Sequence, residues 1–310
     1  MPLHPQCAQF LEEAAKANLP TIPELGPYKG RALGHTPRDF SGPLRDDVVI
    51  STRYITTPTA DVVANIYQPP GNGPFNGMVY YHGGGWVLNY INKYDAQLQE
   101  LAIRTNSVIV GINYQKAPEH KFPIPHDDCY TAFLWLNEHA HEFNVDVKRI
   151  GVGGDSAGGN LASGVALRIR DEGTHHLAYQ MLIYPCNGID FDTPSYLANA
   201  DDYGLTRDGM KWLWEQYLNG DRDNSNPYAV PLNATNFAGS APAVLFTAEF
   251  DVLHDDGQMY AKKMSDAGVR VIYKDYPGMI HGFFNYGSVI EEGISARTFL
   301  VDSINEILKG

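Results

Sequence analysis

Two early segments, Val48–Thr56 and Val62–Gln68, are rich in β-branched and aromatic residues. They predict an antiparallel opening pair of strands. Six further apolar runs follow at wide spacing: Met78–Tyr81, Val108–Asn113, Arg149–Gly153, Tyr179–Tyr184, Ala243–Glu249 and Val271–Tyr276. Segments of helical periodicity separate them, at Asp95–Arg104, Asp127–Phe143, Gly158–Asp171, Asp256–Ala267 and Val289–Leu308. Strands that alternate with helices form a parallel sheet covered on both faces. The expected fold is α/β: a mostly parallel, eight-stranded sheet with helices on each side.

Two regions break the alternation. Between Pro185 and Ser240 no strand pattern occurs. Thr206–Leu218 reads instead as a helix capped by Thr206, with aromatics on more than one face. At the N-terminus, Gln6–Asn18 fits a short amphipathic helix, and the proline- and glycine-rich stretch Pro20–Pro43 cannot be regular for long. The segments divide as 1–45, an N-terminal cap or packing arm, then core over 46–189 and 236–310, and an inserted cap segment over 190–235.

The chemistry-bearing pattern is Gly154-Asp155-Ser156-Ala157-Gly158, which reads G-x-S-x-G between a strand and a helix. In that context the serine occupies a strained turn that lifts its hydroxyl above the sheet. A serine hydroxyl needs a base, an acid to orient that base, and donors for an oxyanion. Asp251 follows the buried run Pro242–Glu249, where open parallel sheets place ligand-handling residues. Glu249 is the rival acid, whereas Asp255 and Asp256 read as N-cap and first-turn acids of a helix. His281 follows the last strand, with Gly282 beside it. The chain order Ser156, Asp251, His281 matches the order expected after such a serine turn. His82-Gly83-Gly84-Gly85-Trp86 follows another strand, and three successive glycines suggest a loop whose N–H groups face a site. Gly84, Gly85 and Ala157 are the candidate oxyanion donors. Gly83 shapes the turn. Neither phosphate-binding glycine motif is present.

Together, His82–Trp86, Gly154-Asp-Ser-Ala-Gly-Gly-Asn160, Glu249-Phe-Asp251 and His281-Gly-Phe283 resemble the hormone-sensitive-lipase-like esterases of the α/β-hydrolase superfamily. Tyr114–Pro123 resembles the same family's conserved loop, with Gln115-Lys116 where Arg-Leu is usual. The resemblance runs from about residue 45 to the C-terminus. It implies an α/β-hydrolase fold with a helical cap, and a carboxylesterase for short- to medium-chain acyl esters that needs no cofactor or metal. It also implies Ser156 as nucleophile, Asp251 as acid, His281 as base, and a homodimer through the edge strand Val271–Tyr276. His82 is expected to hold the glycine loop without transferring a proton. Candidate substrate contacts are Trp86, Asp155, Tyr196, Trp212 and Phe283, although packing of the cap against the core is the better account of any single aromatic in the insertion. A non-catalytic binder is the rival from another class: plant gibberellin receptors share these motifs but lack the histidine, which is present here. An amidase using the same triad is the second rival, and a true lipase is disfavoured by the lack of a long apolar stretch.

Composition narrows this picture further. A chain of 310 residues accommodates one large α/β domain with an elaboration. The formal charge of −13 argues against nucleic-acid binding and disfavours anionic substrates at long range. Three cysteines without metal or disulfide spacing point to the cytoplasm. No signal peptide pattern and no membrane-span pattern is evident.

Overall fold

A computed structural model describes residues 2–34 and 40–309. Its strands are β1 (Val49–Thr56), β2 (Asp61–Gln68), β3 (Phe75–Tyr81), β4 (Ser107–Ile112), β5 (Val145–Asp155), β6 (Gln180–Ile183), β7 (Ala243–Phe250) and β8 (Val271–Ile280). They form a single sheet in the order β1-β2-β4-β3-β5-β6-β7-β8. β2 runs antiparallel to both its neighbours, and every pairing from β4 to β8 is parallel. β3, β4 and β6 are buried along their whole length, which explains their unbroken apolar character.

The helices are α1 (Pro5–Lys16), α2 (Ile22–Gly34), α3 (Asp95–Arg104), α4 (Ile124–Glu138), α5 (Ala157–Glu172), α6 (Pro194–Ala198), α7 (Arg207–Tyr217), α8 (Asp221–Asn224), α9 (His254–Asp266) and α10 (Glu292–Ile307). Two buried clusters lie on the two faces of the sheet. One gathers α4, α5 and α9 with residues of α7; the other gathers α3 and α10 with the start of α1. No helix among the described residues is long and apolar enough to cross a membrane.

Within Pro20–Pro43, α2 is broken at Gly26 (φ 67°, ψ 177°), where Pro27 restarts it, so the stretch is not regular for long. Two expectations are corrected. β8 continues past Tyr276 to Ile280, because a register shift between Ala248 and Phe250 keeps the β7 and β8 backbones paired through Phe250↔Ile280. The long helix expected over Asp127–Phe143 starts earlier, at Ile124 with Pro125 in its first turn, and ends at Glu138. A separate 3-10 turn covers Ala140–Phe143. Between β6 and β7 only helices and turns are found, with Thr206 capping α7 through a 3.0 Å bond from the Gly209 N–H.

Candidate active site

The register of the sheet places the site. Tyr81 of β3 pairs with Gly154 of β5, so the loop beginning at His82 emerges beside Asp155 and Ser156. The strand order reverses direction around β3 and β5, the position at which open α/β sheets form a crevice. On the other side of β6, Phe250 of β7 pairs with Ile280 of β8. The next residue on each strand is Asp251 and His281. Four strand ends therefore deliver the glycine loop, the serine, the acid and the histidine to one edge.

Ser156 has φ 56° and ψ −120°, a left-handed conformation that costs a non-glycine residue free energy. The surroundings hold it there: its N–H donates to the Ile183 carbonyl at 2.9 Å, and α5 begins at the next residue. Close approach is built in at Gly158, where a Cβ would lie 2.6 Å from the Tyr81 carbonyl carbon. Ser156 Oγ lies 3.0 Å from His281 Nε2, and His281 Nδ1 lies 2.7 Å from Asp251 Oδ2. A carboxylate only accepts, so Nδ1 carries the proton and Nε2 is left to accept from the serine hydroxyl. Asp251 is buried, and its second oxygen accepts the Leu253 N–H at 2.9 Å. The rival Glu249 points elsewhere and accepts the Gly278 N–H at 2.7 Å. Tyr184 lies beside the histidine, with ring centroids 4.6 Å apart.

The glycine loop is pinned from beneath. His82 stacks on Tyr114 at 4.4 Å, and its Nδ1 lies 2.8 Å from the Gly83 carbonyl oxygen. Burial pushes the His82 imidazole down to about 3, so it is neutral and suited to packing. Gly84 (φ 114°) and Gly85 (φ 59°) take conformations that favour glycine. Val87 and Leu88 both donate N–H groups back to the Gly84 carbonyl, closing the turn. The N–H groups of Gly84, Gly85 and Ala157 make no hydrogen bond to any described residue, although buried amides are ordinarily paired.

The five expected substrate contacts fall in different places. Trp86 is fully buried, donates Nε1–H to Asn160 Oδ1 at 3.3 Å, and stacks on Tyr217 of α7 at 4.4 Å and 2°. Tyr196 and Phe283 are fully buried, and Trp212 is partly buried against the core. Asp155 lies under the glycine loop, where burial raises its carboxyl above the ordinary carboxylate range. A cavity of about 370 Å³ does abut the loop. Its walls come from the N-terminal helices (Phe10, Ile22, Leu25, Leu33), from Leu88 and Tyr94, and from Asn285 and Tyr286 after the histidine. None of the five contacts lines it. Asp255 and Asp256 lie in the first turn of α9 and also anchor the insertion. They accept the Ser195 N–H at 2.9 Å and the Gly188 N–H at 3.0 Å. Burial raises Asp256 to about 8.

Asn160 closes the serine motif, and its role is visible only in the structure. One turn beyond Ser156, its amide donates to the Cys186 and Ala229 carbonyls at 3.0 Å each, while its oxygen accepts from Trp86. It binds the helix, the strand-end loop and the returning insertion together. Its spacing of i+4 from the serine was the available signal.

A family model described as the alpha/beta hydrolase fold matches residues 78–285. A carboxylesterase of Mycobacterium tuberculosis is 37% identical over 243 residues, covering 76% of this chain and 75% of its own. The ethyl acetate hydrolase of Pseudomonas putida is 32% identical over 249 residues, covering 78% of each. Among solved structures, a hyperthermophilic esterase from the archaeon Pyrobaculum calidifontis superposes with a TM-score of 0.92 at 34% identity over 100% of both chains. An ester hydrolase from the metagenome of Lake Arreo gives a TM-score of 0.94 at 32% identity, over 99% of this chain and 100% of the other. This chain belongs to the α/β-hydrolase family, on its hormone-sensitive-lipase-like branch, and is an ester-hydrolysing enzyme.

Proposed function

We propose that the enzyme cleaves short- to medium-chain carboxylic esters by two-step acyl transfer through Ser156, His281 and Asp251. The observation that carries this reading is the unbroken relay of 3.0 Å and 2.7 Å contacts from serine to histidine to aspartate. Ser156 Oγ attacks the ester carbonyl carbon while His281 Nε2 takes the hydroxyl proton. Asp251 holds the tautomer and stabilises the imidazolium. The carbonyl oxygen gains charge as the tetrahedral adduct forms and is met by the N–H groups of Gly84, Gly85 and Ala157. One such donor is typically worth about 3 kcal/mol. His281 returns the proton to the departing alkoxide, leaving an acyl-serine. Water then repeats the sequence, releasing the acid and restoring Ser156.

The cavity beside the glycine loop supports the substrate class. About 370 Å³, with apolar and polar groups both in its walls, sits near the lower end of the range for small-molecule sites, about 300–1,000 Å³. In this reading residues 1–45, several of which wall that space, and 190–235 form the cap. Three unpaired, buried cysteines support a reducing, cytoplasmic setting, and a homodimer through the edge strand β8 completes the proposal.

The test is hydrolysis of p-nitrophenyl esters from acetate to palmitate by the wild type and by folded Ser156→Ala. Turnover confined to the wild type and peaking at short or medium chains is expected. Equal turnover by Ser156→Ala, or a peak at palmitate, contradicts the proposal. Matched ester and anilide substrates distinguish the esterase from an amidase.

A further inference from the structure

The carboxylate of Asp155 joins parts of the site that the triad does not connect. Oδ1 accepts the Tyr80 hydroxyl and the Gly83 N–H, each at 2.8 Å. Oδ2 accepts the Tyr94 hydroxyl at 3.1 Å and the Asn285 side-chain amide at 3.3 Å. Both oxygens are thus fully occupied, and the residue is 3% exposed. The four donors come from β3, the glycine loop, the 3-10 turn before α3, and the segment after His281. Gly83 approaches so closely that a Cβ there would stand 2.5 Å from Oδ2. The peptide after Gly83 carries the first orphan N–H, that of Gly84. On the far side, Asn285 is itself fixed, accepting Gln97 Nε2–H at 2.9 Å on its Oδ1.

We propose that Asp155 is a positioning residue for the oxyanion donors. By gripping Gly83 and Asn285 at once, it sets the glycine loop in register with Ser156 and with the His281 segment. This inference rests on the esterase reading above and assigns Asp155 no contact with substrate. The arrangement also accounts for the residue type. A buried carboxylate has enough lone pairs to accept from four donors, and charge-assisted hydrogen bonds hold geometry more tightly than neutral ones. A neutral side chain of the same shape offers one acceptor oxygen. Asparagine can still receive Tyr80 and Gly83 on that oxygen; its amide then faces the Tyr94 hydroxyl, which can turn to accept, and the Asn285 amide, which is a donor and loses that partner.

The experiment compares wild type, Asp155→Ala and Asp155→Asn for p-nitrophenyl butyrate hydrolysis. It adds the inhibition constant of an alkyl trifluoromethyl ketone, which forms a tetrahedral oxyanion on the serine. Loss of loop position is expected to lower kcat of Asp155→Ala by about 10²–10³-fold, the range for a lost oxyanion donor. The ketone's inhibition constant is expected to rise in parallel while KM changes less than about threefold, since ground-state binding does not use the loop donors. Asp155→Asn is expected to recover kcat to within about tenfold of wild type. A purely structural role lowers the melting temperature without moving the ketone-to-KM ratio, and that result overturns the proposal. So does a folded Asp155→Ala with wild-type kcat. If Asp155→Ala does not fold, Tyr94→Phe and Asn285→Ala carry the test; each removes one of the four donors and is expected to lower kcat and ketone affinity together by about three- to tenfold. No change in either variant refutes the assignment. A wild type inert toward every ester overturns the underlying esterase reading instead, so the two failures are distinguishable.

Discussion

Substituting His254 will reveal a stability contribution that depends on pH in an unusual direction. The imidazole lies between two carboxylates, 3.3 Å from Asp275 Oδ1 and 3.2 Å from Asp255 Oδ1, with 18% of the side chain exposed. The hydrogen bond to Asp275 leads in raising this histidine from 6.5 to about 9, with Asp255 adding to it and burial opposing. At about 1.4 kcal/mol per pH unit, the rise corresponds to about 3 kcal/mol. Solvent reaching the exposed part of the ring reduces this to about 2 kcal/mol. The sign follows from proton linkage. The folded protein holds this proton more tightly than the unfolded chain, so the contribution is complete below pH 6.5 and disappears as pH rises through 9. Urea unfolding of wild type and His254→Gln at pH 6, 7.5 and 9.5 measures it. The variant should be about 2 kcal/mol less stable at pH 6, and the gap should nearly close at pH 9.5. A gap that stays constant across this range refutes the reasoning. The backbone N–H of His254 donates to the Asp251 carbonyl at 3.1 Å, a bond that the substitution leaves in place.

Further substitutions address the elbow, the loop and the cavity. Gly85→Ala places a Cβ 2.5 Å from Leu213 Cδ1 at a φ of 59°. It should lower kcat by about 10²-fold or more if the loop donors act as proposed, and Gly85→Ala/Leu213→Ala should recover only the part due to the clash. Unchanged turnover in the single variant counts against Gly85 as a donor. Gly158→Ala sets its Cβ against backbone, 2.6 Å from the Tyr81 carbonyl carbon and 2.9 Å from that of His82. A loss of more than about 3 kcal/mol is expected in chemical denaturation, since neither strand nor helix can give way; a loss below 1 kcal/mol contradicts that packing. Leu25→Trp fills part of the cavity beside the loop. Activity on octanoate should fall at least about tenfold more than activity on acetate, and a uniform fall would show that the acyl chain lies elsewhere.

Much of this architecture was legible from one sequence because its signals are local. Strand β2 and helix α3 begin and end within a residue of the patterned segments that predict them, and Thr206 caps α7 as its position suggests. What the pattern could not supply is pairing between distant segments. Glu249 near the end of β7 and Asp251 just past it are two residues apart, so an extended chain puts them on one side by periodicity alone. The register shift between Ala248 and Phe250 is what turns Glu249 toward Gly278 and leaves Asp251 opposite His281. Likewise, an aromatic in an inserted helix reads the same whether it lines a cavity or seals a core. Trp86, Tyr196 and Phe283 are sealed, while the space beside the loop is walled in large part by the proline-rich N-terminal stretch. Asp155 was visible as part of a motif, but its four partners lie on segments up to 130 residues away.

The stack between Trp86 and Tyr217 has a consequence for engineering. Leu213 presses on Gly85 from the same helix, so α7 is built against the loop that carries the proposed oxyanion donors. Exchanging the insertion with that of a relative therefore disturbs the loop as well, and turnover will change with it. A transplant that keeps the catalytic rate must move positions 86, 213 and 217 as one unit.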